Sequence, residues 1–255
     1  MADHNNLSRK AAVILGGASA VARYLALEFA KDGYDLVLAD FDRDENERIA
    51  ADIRTRTGRR CVPMFFDALA FDTHEGFVRE CESVLGQAPE GVVLCFGFMP
   101  EQLAAQADFS LARRSIDTNF TGAVSILERY AAIFEARRHG FIAAISSVAG
   151  DRGRKANYLY GAAKGGLTRY LEGLRNRLHA AKVAVITIKP GFMDTKMTYG
   201  MPLPAPLVAT PPQAARVMYA AIRKRKNNVH VLWFWRFIMI IIRHIPEWQF
   251  KKMSV

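Results

Sequence analysis

Tyr160 and Lys164 stand four residues apart in Tyr160-Gly161-Ala162-Ala163-Lys164, and Ser147 precedes the tyrosine on a separate apolar run. On a helix, positions i and i+4 share a face, so the Lys164 ammonium would lie beneath the phenol and favour its ionised form. A phenol tuned in this way exchanges a proton with an alcohol or a ketone near neutral pH. Ser147 can hydrogen-bond the same substrate oxygen. Of the eight tyrosines, Tyr160 alone has a lysine four residues on. The chemistry this points to is interconversion of an alcohol and a ketone, and it needs a hydride carrier.

The elements that must position these groups alternate in a simple way. Residues 11–16, 35–39, 62–66, 92–96, 141–145 and 183–188 are short apolar runs, rich in Val, Ile or Leu, as strands buried on both faces should be. Helical patterns lie between them, near 21–32, 44–57, 73–85, 110–138 and 157–181. A last helix near 212–226, started by Pro211-Pro212, leads to a seventh strand at 229–232. This alternation predicts an α/β fold, a doubly wound parallel sheet of about seven strands with helices on both faces. Ligands in such sheets sit at the carboxyl ends of the strands, and each candidate residue falls there.

A dinucleotide is the carrier that fits this frame. Gly16-Gly17-Ala18-Ser19-Ala20-Val21-Ala22 closes the first strand and opens a helix, so small residues let the backbone approach a pyrophosphate at the helix N-terminus. Gly16, Gly17, Ser19, Ala20 and Val21 are the candidate contacts, although Ala20 and Ala22 stand where glycines are usual. Asp40 ends the second strand, where an acid can bind the adenosine ribose and repel the extra phosphate of NADP. NAD(H) is therefore favoured; Arg23 and Arg43 leave NADP(H) open. Asp67, Ala68 and Gly97 follow the third and fourth strands, where adenine and its ribose would lie.

Taken in order, Gly16-Gly17-x-Ser19, Asp67, Gly97, Asn119, Ser147, Tyr160-x-x-x-Lys164 and Pro190-Gly191 resemble the short-chain dehydrogenase/reductase family over residues 11–198. The resemblance implies a Rossmann-type fold, a nicotinamide cofactor and a homodimer or homotetramer. It implies that Asn119 kinks its helix and holds a water that relays protons to Lys164. It also implies that Pro190, Gly191, Met193 and Thr195 cover the nicotinamide and hold its amide. Leu94-Cys95-Phe96-Gly97 departs from the family in lacking its paired asparagines.

A narrower resemblance is to the decaprenylphosphoryl-2-keto-ribose reductases. Residues 66–69, 95–97, 146–152, 154–157 and 243–246 carry it. It implies a lipid-linked phosphorylated keto-sugar as substrate and a separate flavin-dependent oxidase as partner. Arg152, Arg154, Lys155 and Asn157 would then meet the substrate, its phosphate falling to the basic trio. A membrane-associated reductase of sterol, retinoid or acyl-chain ketones is the first alternative. A non-catalytic nucleotide-binding scaffold is the second, motivated by the weakened glycine loop.

The bulk numbers suit this reading. The 255 residues allow one domain with a full core, divided as a catalytic unit at 1–232 and a tail at 233–255. Cys61, Cys81 and Cys95 have no metal-type spacing, and residues 1–10 lack a signal-peptide pattern, so a reduced cytoplasmic chain is expected. The net charge is +10, with much of the excess near the C-terminus, as in Arg223-Lys224-Arg225-Lys226. The charge comes with no nucleic-acid-binding motif. Residues 233–245 are too short to span a bilayer, which takes about 20 apolar residues. Aromatic and basic residues bracket them, so the tail is expected as part of the same domain, on an anionic membrane surface or in a subunit contact.

Overall fold

Buried apolar runs become strands, and the amphipathic stretches between them become helices. In the computed structural model, which describes residues 10–253, the order is β1 (Ala11–Leu15), α1 (Ala20–Lys31), β2 (Asp35–Asp40), α2 (Arg43–Thr57), β3 (Cys61–Phe65) and α3 (His74–Leu85). There follow β4 (Gly91–Leu94), α4 (Gln102–Ala107), α5 (Phe109–Ile116), α6 (Gly122–Arg137), β5 (Phe141–Ile145) and α7 (Tyr158–Leu178). The chain ends with β6 (Ala184–Lys189), β7 (Phe192–Met193), β8 (Val208–Ala209), α8 (Pro211–Arg223), β9 (Asn228–His230), α9 (Trp235–His244) and α10 (Glu247–Phe250). Residues 1–9, where the reading of the N-terminus falls, and 254–255 lie outside the described residues.

Seven strands form one parallel sheet in the order β3-β2-β1-β4-β5-β6-β9. The chain winds outward from β1 to β3, returns to β4, and winds outward again. Strand order thus reverses between β1 and β4, which opens a crevice at their carboxyl ends. Every residue of β1, β4 and β5 is buried. Pro63 sits within β3 without harm because β3 is an edge strand, where a missing donor is tolerated.

Two cores flank the sheet. On one face Phe29 of α1, Ile53 of α2 and Met218 of α8 pack on Ile14, Leu38 and Ile186. On the other, Phe77 of α3, Tyr130 and Phe134 of α6 and Leu171 of α7 pack on Leu15, Val37 and Ile142. A third, smaller cluster joins Trp235 and Met239 of α9 to Val148, Phe192 and Leu207.

The fold departs from the sequence expectation at several elements, of which α4 and the β7–β8 pair had no counterpart there. The helix expected across 110–138 is broken into α5 and α6 by a π turn at Asp117–Thr121. The last strand begins one residue earlier and stops at His230. The tail, for which the same domain was one alternative, lays one face of α9 on the domain; burial of Trp235 and Met239 stabilises that docking by roughly 1.5–3 kcal/mol each.

Candidate active site

Ser147 follows β5 by two residues in extended backbone. Its neighbour Ser146 anchors the strand end to α7: the hydroxyl donates to the Lys164 carbonyl at 2.9 Å, and the backbone N–H donates to Ile188 O at 2.8 Å. That anchoring brings the first turns of α7 to the serine, whose side chain acts on the Tyr160 phenol and lowers its pKa. Ser147 Oγ also accepts the Ala149 N–H at 3.0 Å. Lys164 Nζ lies 5.8 Å from the Tyr160 ring centroid and donates to the Ile145 carbonyl at 2.9 Å. Ser147, Tyr160 and Lys164 are all buried.

Burial sets the proton states. It pushes the Tyr160 phenol up to about 12, against the hydrogen bond from Ser147, which pulls it down. It pulls the Lys164 ammonium down to about 8. The sequence reading expected the lysine to favour the ionised phenol. In the chain alone desolvation outweighs that effect, because the ammonium spends its hydrogen bond on the Ile145 carbonyl. The phenol therefore holds its proton at neutral pH.

Asn119 comes to the site through the π turn, which supplies the kink the family resemblance implied. Its amide nitrogen donates to Phe98 O at 2.6 Å and Ser115 O at 2.8 Å, and its oxygen accepts the Phe98 N–H at 3.2 Å. The backbone after β4 is thus fixed to the start of α6. A Cβ on Gly97 would lie 2.9 Å from Asn119 Oδ1 and 3.4 Å from Lys164 Nζ. Glycine keeps that passage narrow but open.

The residues present fit a dinucleotide. Gly16 has φ +84°, and a Cβ there would strike the Phe96 nitrogen at 2.4 Å, so only glycine lets β1 turn against β4. Ser19 caps α1 through the Ala22 N–H, while the Ala20 and Val21 N–H groups have no acceptor within the helix and suit an anion. Asp40 is buried, and burial raises its carboxyl against the lowering effect of backbone hydrogen bonds. Its two oxygens accept the Ala18 N–H at 2.9 Å and the Asp42 N–H at 3.0 Å, tying β2 to the glycine loop. Asp67 Oδ1 accepts the Leu69 N–H at 2.9 Å, and Gly122 leaves room for the Ala68 carbonyl. At the other end of the crevice Pro190 O accepts the Val148 N–H at 3.1 Å. Met193 pairs with Ala209, and Thr195 forms a reciprocal cap with Thr198.

The four residues assigned to the substrate are not brought together as a free cluster. Arg152 is turned to the tail: Nη1 donates to the carbonyls of Ile242 and Ile245, both at 2.6 Å, and Nη2 to Glu247 at 2.9 Å. Its guanidinium also lies 3.7 Å from the Phe250 ring centroid. Arg154 is half-buried, with its guanidinium pKa lowered by desolvation, and Lys155 is exposed. Asn157 precedes α7 but does not cap it; the Leu159 N–H donates instead to Gln102 Oε1 at 3.3 Å. Its own Oδ1 is buried without a partner.

Sequence reasoning missed His74, Gln102 and Trp235 as site-shaping residues. His74 is fully buried, bonded to the Asp67 carbonyl at 3.1 Å and Ser125 Oγ at 2.9 Å, so it braces the loop expected beside adenine. A lone histidine inside a helical pattern carries no signal of this. Gln102 lies on α4, whose six residues are too few for a periodic pattern.

The model of the family described as short chain dehydrogenase matches residues 10–202. An uncharacterized oxidoreductase of Mycobacterium tuberculosis is 34% identical over 242 residues, covering 94% of this chain and 96% of that protein. A short-chain dehydrogenase of Sphingobium yanoikuyae, solved in complex with NADPH, shares the fold at a TM-score of 0.79 and 20% identity, over 93% of this chain and 97% of its own. An alcohol dehydrogenase of the archaeon Thermococcus sibiricus, complexed with 5-hydroxy-NADP, does so at 0.78 and 18%, over 87% and 95%. The chain belongs to the short-chain dehydrogenase family and is an oxidoreductase working between CH–OH and C=O groups.

Proposed function

We propose that the chain reduces the ketone of a lipid-linked, phosphorylated keto-sugar, with NADH favoured over NADPH. The observation that carries the alcohol–ketone chemistry is the buried Ser147–Tyr160–Lys164 set, with Lys164 donating to the Ile145 carbonyl at the strand end. The nicotinamide nucleotide supplies the hydride when bound. Tyr160 gives its proton to the carbonyl oxygen, and Ser147 holds that oxygen by a hydrogen bond. Lys164, charged below about pH 8, steadies the phenolate that remains.

Support for a nicotinamide nucleotide is the fit of the glycine loop, together with the ligands of the Sphingobium and Thermococcus proteins. Preference for NADH rests on Asp40 and on the occupation of its rivals. Arg23 pairs with Asp52 at 3.1 Å, and the Arg43 guanidinium covers the Phe65 ring at 4.2 Å, so each already has a partner within the chain.

The substrate class rests on a cleft of about 410 Å³ between the loop after Ser147 and the tail. Arg152, Lys155 and Lys251 oppose the single acid Glu247 there, and Phe250 and Met253 give it an apolar side. A phosphate with an attached chain suits that lining, with Lys155 and Lys251 as its free cations. The resemblance to decaprenylphosphoryl-2-keto-ribose reductases agrees, and it makes a flavin-dependent oxidase the source of the ketone. Tyr160→Phe tests the mechanism: ketone reduction should fall about a hundredfold or more while NADH still binds. Near-normal turnover in that variant would remove the proposed donor.

A further inference from the structure

The C-terminal tail has two faces, and the fold uses only one. Trp235 and Met239, four residues apart on α9, are 3% and 2% exposed. On the outward side Phe237, Ile240 and Ile241 are 55%, 45% and 67% exposed, neighbours at helical spacing. Trp233 extends this surface at 74%, its ring meeting Phe237 edge-on at 5.9 Å, and Trp248 of α10 is 61% exposed. Large apolar side chains grouped in this way mark a contact surface.

The surrounding charge selects the partner. Arg236, Arg243, Lys251 and Lys252 are exposed around the face, and the one acid of the tail, Glu247, is held by Arg152. Lys224 and Lys226 line a cleft of about 400 Å³ together with Trp233. A second copy applied face to face would set these cations against their equivalents. Anionic headgroups would complement them, with the aromatic rings at the depth where tryptophan is favoured. The ten residues of α9 span about 15 Å, half of a hydrocarbon core of about 30 Å, so the helix can lie in the interface but cannot cross it.

We propose that the outward face of α9, with Trp233 and Trp248, seats this chain on an anionic lipid surface. The inward face gives the seating a purpose. Arg152, five residues after Ser147, binds the carbonyls that end α9, so the lipid-bound helix is tied to the catalytic loop. The mouth of the site is then held at the bilayer, where a lipid-borne ketone is presented. This last step rests on the proposed substrate; the seating itself does not.

All three tryptophans of the chain, Trp233, Trp235 and Trp248, lie in the tail, so their fluorescence reports on it directly. The full chain is mixed with vesicles of phosphatidylcholine, with or without phosphatidylglycerol. With the anionic vesicles the emission should shift to the blue, brominated acyl chains should quench it, and the protein should co-sediment. Salt should reverse all three effects. The double variant Phe237→Ser/Ile241→Ser should bind at least about tenfold more weakly and reduce a water-soluble ketone as before. The proposal is overturned by a full chain that ignores anionic vesicles, or by a double variant that binds them equally well. It is also overturned if the substitutions dissociate an oligomer and neither form binds lipid, which would assign the face to a second copy. In each of these cases turnover of the soluble ketone leaves the reductase reading standing. Vesicle binding without any ketone reduction would do the reverse.

Discussion

Gly191→Ala should loosen the tail. A Cβ at this position would lie 1.9 Å from Trp235 Cε2 and 2.1 Å from Nε1, where ordinary contact begins near 3.4 Å. The indole must therefore retreat by about 1.5 Å, the difference between 1.9 and 3.4 Å. It has little room to do so, because it is buried, edge-on to Phe192 at 5.3 Å, and bonded through Nε1 to Leu207 O at 3.4 Å. Overpacking of this kind costs about 1–3 kcal/mol, and in a chain of this size each kcal/mol lowers Tm by about 2–4 °C. Thermal unfolding followed by circular dichroism measures the loss, and limited chymotrypsin digestion reports whether α9 lifts. The control is the same substitution in a Trp235→Leu background, where the obstacle is gone and the penalty should vanish. The coupling should be about 1–3 kcal/mol. An unchanged Tm and digestion pattern, or an equal penalty in both backgrounds, would refute the contact as the reason for glycine.

Two further outcomes follow from the charged groups of the site. Ketone reduction should decline as pH rises through about 8, where Lys164 loses its proton, while Tyr160, near 12, keeps its own; a rate constant flat to about pH 10 would contradict this assignment. Asp40→Ala should narrow the preference for NADH over NADPH roughly tenfold, by removing repulsion of the 2′-phosphate. It should also weaken NADH binding, since the Ala18 N–H loses its acceptor. Steady-state kinetics with both cofactors measures the two effects, and a chain that prefers NADPH from the outset would overturn the role given to Asp40.

What was legible in the sequence was whatever short-range pattern determines. The parallel strands could be read because burial on both faces leaves runs such as Ala11–Leu15 continuously apolar, and Tyr160 and Lys164 because four residues make one helix face. Contacts that close over long separations could not be read. Arg152 sits in a basic run that looks free, but its partners Ile242 and Ile245 are 90 and 93 residues away. Gly191 could be read as a member of a family loop, yet the side chain that requires glycine there belongs to the tail. The break between α5 and α6 was hidden because a π turn adds a residue without interrupting the apolar pattern on either side.

That π turn ties the reaction to the core by phase. Each residue of an α-helix advances the side chains by about 100°, and one wider turn between Asp117 and Thr121 resets the count for everything after it. Asn119 faces the Phe98 backbone on one side of the turn, while Ile126, Tyr130 and Phe134 face the sheet on the other. Straightening the helix by removing one residue would satisfy the local backbone, yet it would rotate either the asparagine out of the site or three large side chains off the sheet. The irregular turn is thus the gear that lets a residue bracing the candidate site and a hydrophobic face share one helix.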